Sequence, residues 1–231
     1  MIDIEQGGFI LLDKPYGWTS FQAVKKVQYI LKNHFHTKRI KIGHAGTLDP
    51  LATGLLILCV GKYTKQIEMF QAREKEYTGT FFLGATTSSF DREKPVDCVY
   101  DTEHISSQNI LDTAQSFIGE QEQIPPVFSA VKIGGKRAYD FAREQKDVAI
   151  KPRTITINSF EITDIEMPRV GFRIVCSKGT YIRSLARDFG LALGSGAYLD
   201  SLCRTRIGEY SLEDARQLED IAEEYSFNLR K

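Results

Sequence analysis

Cysteine is scarce in this 231-residue chain: Cys59, Cys98, Cys176 and Cys203 are widely spaced and form no CxxC pair. That excludes a dense disulfide framework and the usual paired-cysteine zinc sites, and leaves buried free thiols as the reading. No apolar run approaches the roughly 20 residues of a membrane-spanning helix. The start, MIDIEQGGFILLDKP, carries acids ahead of its apolar run instead of a basic leader, so the cytoplasm is the expected compartment and no membrane is an expected partner. Nucleotide loops are missing as well: there is no Walker A sequence, no GxGxxG after a strand, and no HxE with PCxxC of the zinc deaminases. His34, His36 and His44 fall close together but lack a nearby cysteine or an HExxH frame. Neither a metal nor a cofactor is expected.

Net charge is also absent, with 30 basic residues against 30 acidic. Its distribution is uneven. Residues 21 to 41 hold Lys25, Lys26, Lys32, Lys38, Arg39 and Lys41 and no acid, and residues 123 to 153 hold seven basic residues against three acidic. Residues 91 to 122 and the tail from Glu209 are mainly acidic. Such segregation gives a neutral protein a basic face, the electrostatic footprint of polyanion binding. Solvated helix faces are the alternative.

The hydrophobic pattern predicts a strand over Phe9 to Pro15, then a helix capped by Thr19 and Ser20 with Phe21, Val24, Val27, Ile30 and Leu31 inward. LLILCV reads as a buried strand, followed after Gly61 by a short helix through Phe70 and by a strand over Glu76 to Gly84. Residues 85 to 104 are polar and read as irregular. Ser106 or Ser107 caps a helix with Ile110, Leu111, Ala114, Phe117 and Ile118 inward, stopped by Gly119. In residues 123 to 144 a diproline entry, a strand-like VFSAVKI, a Gly134-Gly135 turn and a short helix make a basic unit with few core residues, suited to closing on a ligand. TITINSFEI and VGFRIVC alternate strictly around a turn at Pro168, which predicts an antiparallel pair. A helix with Tyr181 and Arg183 in its first turn, a strand over YLDSLCRTRIGEY and a polar tail complete the chain. The reading is one α/β (α+β) domain, 1 to 231, on a mainly antiparallel sheet.

Chemistry centres on GHAGTLDPLATG, Gly43 to Gly54: three glycines, a proline, one histidine and one carboxylate, Asp49. Glycine gives close backbone approach at an entropic cost, so such a loop ahead of a buried strand is expensive scaffolding for a single acid. An Asp-Pro turn is the plain alternative. A lone aspartate acts as nucleophile or base only if something keeps it ionised and aimed. Arg183 is the residue best suited by type, because a guanidinium pairs bidentately with a carboxylate; a surface arginine is the alternative. Tyr77 offers a platform for a base extruded from RNA, or is a half-buried strand tyrosine. His44 can stack on a splayed nucleotide, or is structural. Together these residues suggest cofactor-free chemistry directed at a base in RNA.

The sequence resembles the TruB family of tRNA pseudouridine synthases. GHAGTLDPLATG matches the family's catalytic loop, and DKPYGWTS, QIPPVFSAVKIGGKRAYDFAR, SKGTYIRSLARDFG and GAYLDSLCRTRIGEYSLEDA match further blocks in the same order, from Phe9 to about Ala215. The resemblance implies a pseudouridine-synthase fold with an RNA-clasping insertion. It implies Asp49 as catalytic aspartate, Arg183 as its partner, Tyr77 stacking on the target base, and Gly43 and His44 against the flipped T-loop. Tyr181 and Leu202 would line the uracil pocket. Residues 123 to 152, with Lys132 and Arg137, would fold over the RNA as a thumb. The implied reaction converts uridine to pseudouridine at tRNA position 55.

Many bacterial members continue into an RNA-binding module of the PUA type, whereas here the last block runs into a short acidic tail, 209 to 231. T-loop recognition without that module, with more salt-sensitive tRNA binding, is expected. Two other readings compete: a non-catalytic RNA-binding protein or chaperone using the same basic face, and the guide-RNA-directed branch of the superfamily. DPLATG, in place of the DPKVTG type of that branch, favours a stand-alone, monomeric enzyme acting on tRNA without guide RNA.

Overall fold

The structure is a computed structural model that describes residues 2–128, 132–133, 136–137 and 150–226. In chain order its elements are β1 (Gly8–Lys14), α1 (Ser20–His34), β2 (Ile42–His44), β3 (Ala52–Val60), α2 (Ile67–Ala72), β4 (Lys75–Leu83), β5 (Ala85–Thr87) and β6 (Val96–Val99). There follow α3 (Ser107–Ser116), β7 (Gly119–Gln123), β8 (Lys132–Ile133), β9 (Lys136–Arg137), β10 (Arg153–Glu166), β11 (Arg169–Cys176), α4 (Ile182–Ala192), β12 (Ala197–Ile207), β13 (Tyr210–Ser211) and α5 (Leu218–Glu224). All but one of the strand pairings whose registers follow are antiparallel, so the chain is α/β on a mainly antiparallel sheet, as its patterning predicts. The chain divides into two compact units, residues 1–77 with 202–231, and residues 78–201.

In the first unit β3 is the organising strand. It pairs antiparallel with β1 from Gly8↔Val60 to Lys14↔Gly54 and with β2 from Ile42↔Val60 to His44↔Leu58. Its opening residues pair parallel with β12, Leu202↔Ala52 to Arg204↔Gly54. Burial on both faces explains why β3 reads as an unbroken apolar run and not as an alternation. Leu56, Leu58 and Val60 pack with Ile10 and Leu12 of β1, the Val27 and Leu31 face of α1, and Leu218 and Ile221 of α5. Leu55, Ile57 and Cys59 face the other way, toward Phe70 and Ile207.

Helix α1 begins where the sequence places its cap. Thr19 Oγ1 accepts from the Gln22 N–H at 3.1 Å, and the Gln22 side chain accepts from the Thr19 N–H at 2.8 Å, a reciprocal capping box. Phe21 is a correction: it is 65% exposed. The buried stripe runs through Ser20, Ala23, Val24, Val27, Ile30 and Leu31, and at about 100° per residue Phe21 falls outside it.

In the second unit β11 and β7 flank β10, the hairpin turning at Met167 and Pro168. Phe81, Phe160, Phe172 and Phe189 form an aromatic core, with ring centroids of Phe81 and Phe172 4.3 Å apart and those of Phe160 and Phe189 5.4 Å apart. Three expectations are corrected here. Residues 85 to 104 are not wholly irregular, since β5 and β6 pair antiparallel. Gly119 does not merely stop α3 but opens β7, and Leu111 and Ile118 are each 42% exposed. Helix α3 is short and ends at Ser116, ahead of Ile118, and Ile110 and Ala114 alone supply its buried stripe. The turn and short helix predicted over 134–135 and 138–144 lie outside the described residues, as do residues 129–131 of the strand-like VFSAVKI.

Candidate active site

Asp49 sits half-buried on the turn between β2 and β3, and the first unit fastens that turn on both sides of it. Arg204, on β12 and 1% exposed, donates from Nη2 to the Gly46 carbonyl at 3.1 Å and from Nε to the Leu55 carbonyl at 2.8 Å. Ser20 Oγ accepts from the Leu48 N–H at 2.9 Å and lies 3.1 Å from the Leu48 carbonyl. The Gly17 N–H donates to the Pro50 carbonyl at 2.8 Å. Lys14, fully buried, donates from Nζ to the carbonyls of Pro15 at 2.9 Å and Trp18 at 2.6 Å, and reaches that of Pro50 at 3.5 Å.

Gly54 is where these supports converge. It stands opposite Lys14 on β1 and opposite Arg204 on β12, and Asp13 Oδ1 accepts its N–H at 3.1 Å. Its φ is +99°, and a Cβ there would stand 2.4 Å from the Arg204 carbonyl. Only glycine meets both conditions.

Two cations thus lie beneath the Asp49 turn. Burial pushes the Lys14 ammonium down from 10.5 to about 8, while the Asp49 charge acts to hold its proton and Arg204 acts to remove it. His44, on β2 opposite Leu58, is lowered from 6.5 chiefly by burial, with the Gly46 backbone opposing and Arg204 adding to the shift. The ring is therefore neutral at pH 7, and its Nδ1 is buried without a hydrogen-bond partner among the described residues. The Gly43 position is closed by packing, for a Cβ there would stand 2.6 Å from Ile67 Cδ1.

Of the other expected site residues in this unit, Leu202 pairs with Ala52, which follows the Asp49 turn directly, and Tyr77 is buried on β4. In the second unit Arg183 is 4% exposed, which overturns the surface alternative. Its Nη2 donates to the Phe128 carbonyl at 2.9 Å and its Nη1 to the Ser89 carbonyl at 3.3 Å, and its Nε lies 3.6 Å from Asp91 Oδ2. Tyr181 is the residue before α4. The buried Gln123 side chain brackets its backbone, accepting the Tyr181 N–H at 2.8 Å and donating to its carbonyl at 3.2 Å. The Tyr181 ring packs with Val127 and Ile150. Lys132 and Arg137 are register partners in the β8–β9 ladder.

Sequence reasoning missed Lys14, Arg204, Asp91 and Gln123. Lys14 left a signal: in FILLDK it continues the inward alternation of Ile10 and Leu12. Among the described residues no group of three or more His, Cys, Asp or Glu side chains could hold a metal ion.

The chain arrangement is shared with solved structures. A chain of the crystal structure of a Cbf5–Nop10–Gar1 complex matches with a TM-score of 0.70 at 31% identity, over 96% of this chain and 55% of that one. A chain of the structure of an H/ACA RNP bound to a substrate RNA containing 2′-deoxyuridine gives 0.68 and 29%, over 96% and 54%. This chain spans about half the length of those two chains. With the family model that matches this chain, the fold is that of a pseudouridylate synthase.

The family follows from the sequence models. Residues 32–182 match the TruB family pseudouridylate synthase N-terminal domain, and residues 183–230 match the tRNA pseudouridylate synthase B C-terminal domain. The chain belongs to the TruB family. Two relatives named tRNA pseudouridine synthase B are close to it over nearly their whole length. That of Phocaeicola vulgatus is 52% identical over 96% of this chain and 94% of its own, and that of Flavobacterium johnsoniae is 54% identical over 91% and 92%.

Proposed function

We propose that this chain isomerises uridine to pseudouridine at position 55 in the T-loop of tRNA, as a stand-alone enzyme without guide RNA. The observation that carries the reading is the Asp49 turn, anchored from Lys14, Ser20 and Arg204 in a chain of this family. Such anchoring fixes where a carboxylate meets a substrate before the substrate arrives, so no reorganisation is needed at the moment of reaction.

In the reaction the target uridine leaves its stack, at a cost of a few kcal/mol that phosphate contacts offset. Asp49 acts at the sugar, on C1′ or on the C2′ proton. The N1–C1′ bond breaks, the uracil turns within its pocket, and C5 bonds to C1′; C5 gives up its proton and N1 gains one. Arg183 pairs with Asp49 and aims it. Tyr77 stacks on the base, Tyr181 and Leu202 line the uracil pocket, and Gly43 and His44 meet the flipped loop. A neutral His44 suits stacking on a base. Residues 123–152, through Lys132 and Arg137, close over the RNA as a thumb within a single catalytic domain of a cytoplasmic monomer. The absence of a guide is supported by about 50% identity to relatives named for tRNA, against 31% to a chain of the Cbf5 complex.

The test is purified protein with an unmodified tRNA transcript and no other RNA. Carbodiimide mapping should show pseudouridine at position 55. Modification elsewhere, or only after a guide RNA is added, would overturn the reading.

A further inference from the structure

Phe21 and Tyr29 project from α1 with 65% and 56% of their surface exposed. With Trp18, Gln22, Lys25 and Lys26 they line an open groove of about 370 Å³. Positions 21/22, 25/26 and 29 recur every three or four residues, so they make one stripe on the face away from the buried Ala23, Val24, Val27 and Leu31, and Trp18, ahead of the Thr19 cap, closes the end of the groove while packing in part against the core. Lys25 Nζ stands 5.2 Å from the Phe21 ring centroid.

From Lys14 to Leu48 the sequence holds seven lysines and arginines and no acid. Alternating aromatic rings and cations without acids is the make-up of a surface that stacks bases and neutralises phosphates. Protein interfaces, by contrast, are depleted in lysine. The groove also begins at the active-site turn: Lys14 bonds both Trp18 and Pro50, and Ser20 bonds Leu48. Between Phe21 and Tyr29 the helix advances about 12 Å, room for roughly three stacked nucleotides at about 3.4 Å each.

We infer that the α1 groove is a second RNA-binding surface, a stacking track for unpaired nucleotides that leads away from the Asp49 turn. That the nucleic acid is RNA rests on the proposed function; the groove itself is tested without activity.

Trp18 is the chain's single tryptophan, so all tryptophan emission comes from the end of the groove beside the Asp49 turn. Titration with a short oligouridylate lacking any stem-loop should quench that emission saturably. The double variant Phe21→Ala/Tyr29→Ala should bind at least tenfold more weakly. Lys25→Gln/Lys26→Gln should reduce the slope of log affinity against log salt by about 1.4. Circular dichroism melting of both variants should match the parent, since none of these four side chains belongs to the buried stripe. No quenching, or quenching unchanged in both variants, overturns the inference. So does a groove covered by a second copy, seen as a fall in sedimentation coefficient in the Phe21/Tyr29 variant without any effect on RNA binding. If the chain failed to modify tRNA, saturable quenching would still stand.

Discussion

Arg204 Nη2 donates to the Gly46 carbonyl at 3.1 Å across 158 residues of sequence. Through that bond the last long strand of the chain sets the shape of the Asp49 turn, while Arg204 Nε secures Leu55 on the far side. The guanidinium is planar and forked, so one buried side chain fixes two backbone points at once.

Replacing Arg204 with methionine keeps much of the volume and removes both donors. Each buried carbonyl left unsatisfied costs about 1–3 kcal/mol. Urea unfolding should show a loss in that range or above, and turnover should fall with it because the turn loses its fixed shape. Arg204→Lys should recover less than half of the loss, since an ammonium cannot span both carbonyls.

Lys14 makes stability depend on pH in a defined direction. Its folded value is about 8 against 10.5 when free, so between these the unfolded chain binds more protons and stability rises with pH. The buried Cys59 thiol, pushed up from 9.0 to about 11 by burial, acts oppositely, its contribution being lost as pH rises from 9 toward 11. Urea unfolding of the parent and Lys14→Met at pH 7, 8, 9 and 10 separates the two. Cys59 cancels in the difference, and the parent should gain on the variant as pH rises above 8. A constant difference would contradict the assignment.

Gly54→Ala should be costly although it adds one methyl group. A φ of +99° strains any L side chain, and the new Cβ would stand 2.4 Å from the Arg204 carbonyl and 2.7 Å from the Arg204 nitrogen. A destabilisation of about 2 kcal/mol or more is expected, read as a lower midpoint in chemical unfolding. The turnover number should fall more than tRNA affinity, because the substitution shifts the Asp49 turn rather than the basic surface.

The long elements were legible because burial imposes a period on them: two for β10 and β11, an unbroken run for β3, and 3.6 for α1. β6 was not, since all four of its residues are exposed and a solvated two-stranded ladder leaves no hydrophobic pattern. Asp49 could be singled out because glycines cluster around it. The fate of Arg183 could not, for an arginine reads as surface until its partner is known, and Asp91 lies in a polar stretch that looks like loop. Lys14 and Arg204 were hidden for the same reason: their charges are answered by backbone carbonyls, which every residue carries.

The central claim is that Asp49 performs the chemistry while the rest of the chain binds and positions the RNA. Asp49→Asn keeps the side chain's shape and removes its charge. Tritium release from C5-labelled uridine in a tRNA transcript, measured beside tRNA affinity for the same variant, tests the claim most directly. Release should fall to background while affinity stays within a few-fold of the parent's. Release at the parent's rate in Asp49→Asn would contradict the claim.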